Sequence, residues 1–200
     1  MTISYPLTAP SDVPASITFS PRFAVGENES AFTYSSEVYE HIGQQMIWSV
    51  QIPPLNQTQA SDWEAFFLAL NGVYGTFTLG DPTRTAPRGT GNGTPVVDGA
   101  GQQRSKTLTT RGWAANERVL MAGDYFQLGT RLHRSMQHVD SDGSGEAIID
   151  LFPRVRDVLV DGTAITLNNT VGVWKLSQAP QWSVQEAQIY GFAFQCKEAI

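Results

Sequence analysis

Residues 46–82, MIWSVQIPPLNQTQASDWEAFFLALNGVYGTFTLGDP, leave this chain little freedom in how it folds. They spell a strand, a stop, a capped helix and a second strand in order. Met46, Trp48, Val50 and Ile52 alternate with Ile47, Ser49 and Gln51, and an extended backbone would put those four on one buried face. Pro53 and Pro54 remove two backbone donors and end that strand. Asn56 can accept from first-turn amides while Gln59, three residues on, reaches back, so a helix over about 56–71 is expected. Its structural face is Ala60, Trp63, Phe66, Phe67 and Leu70, a wide stripe at spacings of three and four. Asn71-Gly72 supplies the left-handed closure, Val73, Gly75, Phe77 and Leu79 resume alternation, and Gly80-Asp81-Pro82 turns the chain.

The rest of the composition makes the chain mainly β. Eighteen Gly and eleven Pro against few helical patterns favour many short strands, and 41% hydrophobic residues supply a core. A net charge of -6 argues against a grip on nucleic acid by phosphate neutralisation. The single cysteine, Cys196, excludes an intrachain disulfide and falls in phase with Tyr190, Phe192 and Phe194 on a buried strand face. No basic leader opens the chain, and no stretch approaches the roughly 18 apolar residues of a membrane span, so synthesis in a cytoplasm and no membrane insertion are expected.

Residues 1–14 hold three prolines and read as an extended arm suited to lying on a neighbour. Short β pieces follow around Ile17 and Phe19, Phe23 and Val25, and Phe32 and Tyr34, with a turn at 26–30 and a loop at 37–44. Residues 83–101 are too rich in Gly and Pro, and too long, for an ordinary connection. Strand-like segments resume at 106–110, 118–121, 125–128, 131–139, 147–152, 157–160 and 163–167, enough for a small barrel. The expected organisation is a discontinuous first domain, 1–93 and 169–200, carrying an inserted β-barrel at 94–168.

Catalytic and metal signatures are weak. Asp140, Asp142 and Glu146 open like a calcium loop, but Leu151 stands where the bidentate Glu is required, and a hairpin turn accounts for every residue. His133 and His138 are an odd number apart and fall on opposite strand faces, His41 is isolated, and the glycine runs at 89–93 and 99–101 do not open a helix. The expectation is therefore a non-enzyme with no catalytic, metal or cofactor-binding residue and no cofactor. Arg84 and Arg88 read as solvated or interface charges, and Trp113 and Tyr125 as candidates for the surface of the insert.

The succession W-x-V-x-I-P-P-L, a helix with W-x-A-F-F-x-x-L, then N-G and G-x-F-x-L-G-D-P resembles distal tail proteins of long-tailed bacteriophages. Thr110-Arg111-Gly112-Trp113, residues 122–129 and the terminal YGFAFQC strand are similar to that family too. The resemblance implies a tail-tube-like β-sandwich with one flanking helix, plus an inserted barrel of OB-like type. It also implies a virion protein of the tail tip or baseplate, assembled in the host bacterial cytoplasm. Copies of the chain would form a homohexameric ring joining the tail tube protein to baseplate hub and other tail-tip proteins, with DNA only in transit through the channel. Glu27, Glu29, Glu37 and Glu40 are then candidates for the ring interface or an acidic channel wall. The alternative is a carbohydrate-binding adhesion module in which Trp113 and Tyr125 stack on sugar rings.

Overall fold

The computed structural model describes residues 3–11, 14–184 and 190–200. Its first sheet has seven strands: β1 (Leu7–Thr8), β4 (Thr76–Leu79), β13 (Gly172–Leu176), β15 (Tyr190–Glu198), β3 (Ser36–Gln51) and β2 (Ser16–Glu29) in that spatial order, with β14 (Gln181–Val184) also on β15. The β1–β4 pair is parallel, while the other pairs are antiparallel. Met46, Trp48, Val50 and Ile52 are buried and meet the inward residues of β15, where Cys196 lies opposite Trp48 and Phe194 opposite Val50. Cys196 is fully buried, and burial pushes its thiol far up, so it packs as a small hydrophobe.

Helix α1 (Gln57–Ala69) covers that face. Asn56 Oδ1 accepts from Gln59 N at 3.0 Å and Gln59 Oε1 accepts from Asn56 N at 3.3 Å, a reciprocal cap that fixes where the helix starts. Ala60, Trp63, Phe66, Phe67 and Leu70 are all buried. Their rings interlock with the sheet through Trp63 on Phe194, Phe66 on Phe77 and Phe67 on Phe192. Asn71 and Gly72 both take positive φ and close the helix. The strand beyond starts only at Thr76, since Val73 and Tyr74 are exposed in the turn.

The second sheet has six strands: β12 (Ile165–Thr166), β8 (Tyr125–Leu128), β9 (Arg131–Ser135), β11 (Glu146–Phe152), β6 (Thr107–Trp113) and β5 (Gly93–Val97) in spatial order. A bridge between Val96 and Ala164, with Val97 N donating to Thr163 O at 2.9 Å, nearly closes it into a barrel. β7 (Arg118–Leu120) and β10 (Val139–Asp140) form a small ladder beside it. Val97, Leu108, Val119, Phe126, Ile149 and Leu151 fill a core separate from that under the helix.

Several local expectations are corrected. Residues 157–160 form no strand, and the segment 131–139 breaks into β9 and β10. β5 lies inside the stretch read as a glycine-rich connection. Gly93 there has φ 106°, and a Cβ would come within 2.3 Å of Gly112 O, so glycine marks a close strand approach. The N-terminal arm lies on its own molecule: Leu7 and Thr8 pair with Phe77 and Thr78, and Tyr5 Oη donates to Ala69 O at 2.7 Å.

Candidate functional site: the projecting hairpin and its junction with the barrel

β2 and β3 form one hairpin far longer than the sheet that roots it. Their pairing runs from Ser16 opposite Gln51 to Glu29 opposite Ser36, with an irregularity between Phe23 and Val25. Residues 26–29 of the expected turn and the whole expected loop at 37–44 are thus strand, and the reversal sits at residues 30–35. There Ser30 N donates to Ser35 O and Tyr34 N to Ser30 O, both at 2.9 Å, which holds the tip in one shape. Tyr34 takes φ 55°, the left-handed conformation that a tight reversal demands. Phe32 and Tyr34 are displayed at that tip, 95% and 78% exposed.

The inner half of the hairpin is clamped to the barrel. Glu40 accepts from Lys106 Nζ at 2.6 Å and from Arg154 Nη2 at 2.8 Å, and the two cations hold its carboxyl below the usual range. Gln44 Oε1 accepts from Arg154 N at 2.9 Å. Phe23 packs on Phe152 at 5.1 Å, and Arg134 lies over both Phe19 and Tyr125. Beyond this clamp the hairpin projects alone, carrying Glu27, Glu29 and Glu37.

The structure therefore gathers Glu27, Glu29, Glu37 and Glu40 onto a single element. Glu40 serves the junction, while Glu37 accepts from Tyr39 Oη beside it. Trp113 and Tyr125 are not on the surface of the barrel, which corrects that expectation. Trp113 is 5% exposed with Nε1 donating to Thr110 Oγ1 at 2.8 Å, and Tyr125 is 7% exposed against Trp48 and Arg134. Neither ring offers an open face on which a sugar could stack. Alternation makes both strand residues, but only the closing of the barrel and its docking on the first sheet decide that their faces turn inward.

Two features have no local motif in the sequence. Asp124 is buried and its carboxylate accepts from the amides of Arg88, Gly89 and Met121 and from Arg88 Nε, at 2.8–3.1 Å. Burial pushes its pKa up, but those donors outweigh the effect and hold it below the usual range. Arg88 is thus a strut tying the connection to the barrel, not a free interface charge. Arg84 likewise donates to Gly123 O at 3.1 Å. The second feature is a cavity of about 510 Å³ where the hairpin root meets the barrel, with Arg22, Arg104, Arg154 and Arg156 among its lining residues. No local motif announces it, because the four arginines come from three separated segments. The RVR of residues 154–156 was the one available signal.

His133 is buried within the barrel wall, stacked on Phe126, with Nδ1 2.9 Å from Pro153 O. Burial pushes its pKa down to about 4, so the ring is neutral in the folded protein. His138 Nδ1 accepts from Ala122 N at 3.2 Å. At residues 140–146, Asp142 Oδ1 accepts from Ser144 N and Glu146 N, the bonds of a hairpin turn. Among the described residues no helix is long and apolar enough to cross a membrane. Compared with known proteins, the sequence matches no family model and no curated protein.

Proposed function

We propose that this chain is a structural protein of a long-tailed phage's tail tip or baseplate. In this reading its copies form a homohexameric ring, part of the virion, joining the tail tube to hub and host-recognition proteins. The first sheet and helix are the tube-like sandwich unit of that ring, and the barrel is an OB-like addition to it. DNA passes through the channel and is not held, since a net charge of -6 disfavours a broad phosphate-neutralising surface.

The observation that carries this reading is the projecting hairpin. Phe23, Val25, Phe32, Tyr34, Val38, Tyr39 and Ile42 are all more than half exposed on it. Apolar exposure concentrated on one stiff element marks an assembly surface. Sequence supports the same reading through the resemblance of the strand, capped helix and N-G closure to distal tail proteins.

Gold-labelled antibody against the chain, imaged on intact particles, tests the proposal. Label confined to the distal end of the tail is the expected result. Purified particles that lack the chain by mass spectrometry would overturn it.

A further inference from the structure

The hairpin has two unlike ends, and their chemistries are complementary. At its root is the cavity of about 510 Å³, walled by Ala24, Ile42 and Val155 and by Arg22, Arg104, Arg154 and Arg156, with no carboxylate side chain among its lining residues. Arg154 is engaged by Glu40 at 2.8 Å, and Arg156 lies 3.7 Å from Glu198. The guanidinium groups of Arg22 and Arg104 make no hydrogen bond or ion pair among the described residues, and Arg154 Nε is buried there without a partner. An apolar wall edged by uncommitted guanidinium groups suits an apolar body carrying carboxylates.

The tip has that composition. Phe32 and Tyr34 stand exposed between the strand ends that carry Glu27, Glu29 and Glu37. Neither Glu27 nor Glu29 has an ion-pair partner among the described residues. From Glu40, the last point clamped to the barrel, the strands run paired to Glu29 and Ser36. At roughly 3.3 Å per residue that is on the order of 15 Å of two-stranded ribbon before the turn. A paired ribbon cannot fold back on its own root, so the tip of one molecule reaches the root cavity only of another.

We propose that the arginine-edged cavity at the root of the hairpin receives the hairpin tip of a second copy of this chain. Phe32 or Tyr34 enters the apolar part while Glu27 and Glu29 meet Arg22 and Arg104. Because tip and root are different surfaces, the contact is head-to-tail, the kind that closes a ring when the rotation per subunit permits. The inference deepens the ring reading and rests on it, naming the two surfaces that join.

Charge exchange in the full chain provides the test, with self-association followed by light scattering and native mass spectrometry up to millimolar protein. The pocket variant is Arg22→Glu with Arg104→Glu, and the tip variant is Glu27→Arg with Glu29→Arg. Each alone faces like charge with like, and its self-association is expected to weaken by about a hundredfold or more. Mixed one to one, each variant's tip suits the other's pocket, so association returns as alternating hetero-oligomers. That recovery also shows that both variants are folded. Phe32→Ser is expected to weaken association without charge dependence. The proposal is overturned if wild-type protein stays monomeric, if the charge variants associate like wild type, or if the mixture fails to recover. It is equally overturned if inorganic phosphate shifts the amide signals of the cavity residues while the chain remains monomeric, which makes the cavity a small-anion site. Any of these failures leaves the gold label at the tail tip standing, so the two readings fail separately.

Discussion

Asp124 shows how much one side chain can decide when it is buried among donors. Replacing it with Ala leaves the Arg88, Gly89 and Met121 amides unpaired, and the expected loss is roughly 2–4 kcal/mol in urea unfolding, as for hydrogen bonds to a charged acceptor. Asp140→Asn, altering an exposed ion pair with Arg118, is the control and should change stability far less, because solvent screens that pair. Asp124 also contributes to acid sensitivity. Its folded pKa lies below the unfolded value, so its stabilisation is complete above about pH 4 and is lost as pH falls through the folded pKa. His133 acts in a higher window. With its pKa pushed from 6.5 down to about 4, the unfolded state binds the extra proton between those values, and stability falls as pH drops from 6.5 to 4. The full effect is about 3 kcal/mol. His133→Phe, which keeps a ring against Phe126, should flatten that part of the curve, and an unchanged slope would place the titration elsewhere. Neither residue was legible as important in the sequence. Asp124 sits in an ordinary Gly-Asp-Tyr turn and, Met121 apart, its partners Arg88 and Gly89 are more than thirty residues away, while His133 looks like any strand histidine until the barrel closes around it.

At the scale of elements, the sequence spoke clearly wherever the determining contacts are local. The Asn56–Gln59 cap needs only residues three apart, and the stripe from Ala60 to Leu70 needs only the helical repeat. Asn56→Ala should therefore cost about 1 kcal/mol in thermal or urea unfolding. Trp63→Ala should cost about 3–5 kcal/mol, because its ring touches Phe66, Phe67 and Phe194 and no neighbour can fill the space. A melting temperature unchanged by the Trp63 substitution would mean that the helix does not pack on β15. The hairpin misled in the opposite sense. Gly26, Asn28 and Gly43 look like turn residues, yet all three lie in strands, because cross-strand pairing over thirteen registers overrides local preference. Trp113 and Tyr125 failed as surface candidates for a related reason: alternation gives two faces, and only tertiary closure says which face is covered.

For the whole molecule, the composition shifts after Pro82 and the helix-covered sheet and the barrel-like sheet have separate cores, but no motif marks where the chain passes from one to the other. Thr90 N and Gly91 N donate to Arg118 O and Val119 O, and Arg88 and Gly89 bind Asp124, so residues from 88 onward belong with the barrel. A fragment of residues 88–168 should give a well-dispersed amide spectrum, whereas 94–168, lacking the Arg88 and Gly89 donors to Asp124, should be less stable. Collapsed spectra from both would make the barrel dependent on the first sheet, which already covers Tyr125, Leu132 and Phe152. In the proposed assembly the projecting hairpin joins copies of this chain into a ring at the tail tip. A reconstruction of the assembled particle by electron cryomicroscopy tests this most directly. It should show six copies around the axis, each hairpin crossing to the next subunit's arginine-edged cavity, about a channel not lined by basic residues. Single copies at the periphery, or hairpins free in solvent beside a channel lined mainly by Lys and Arg, would contradict it.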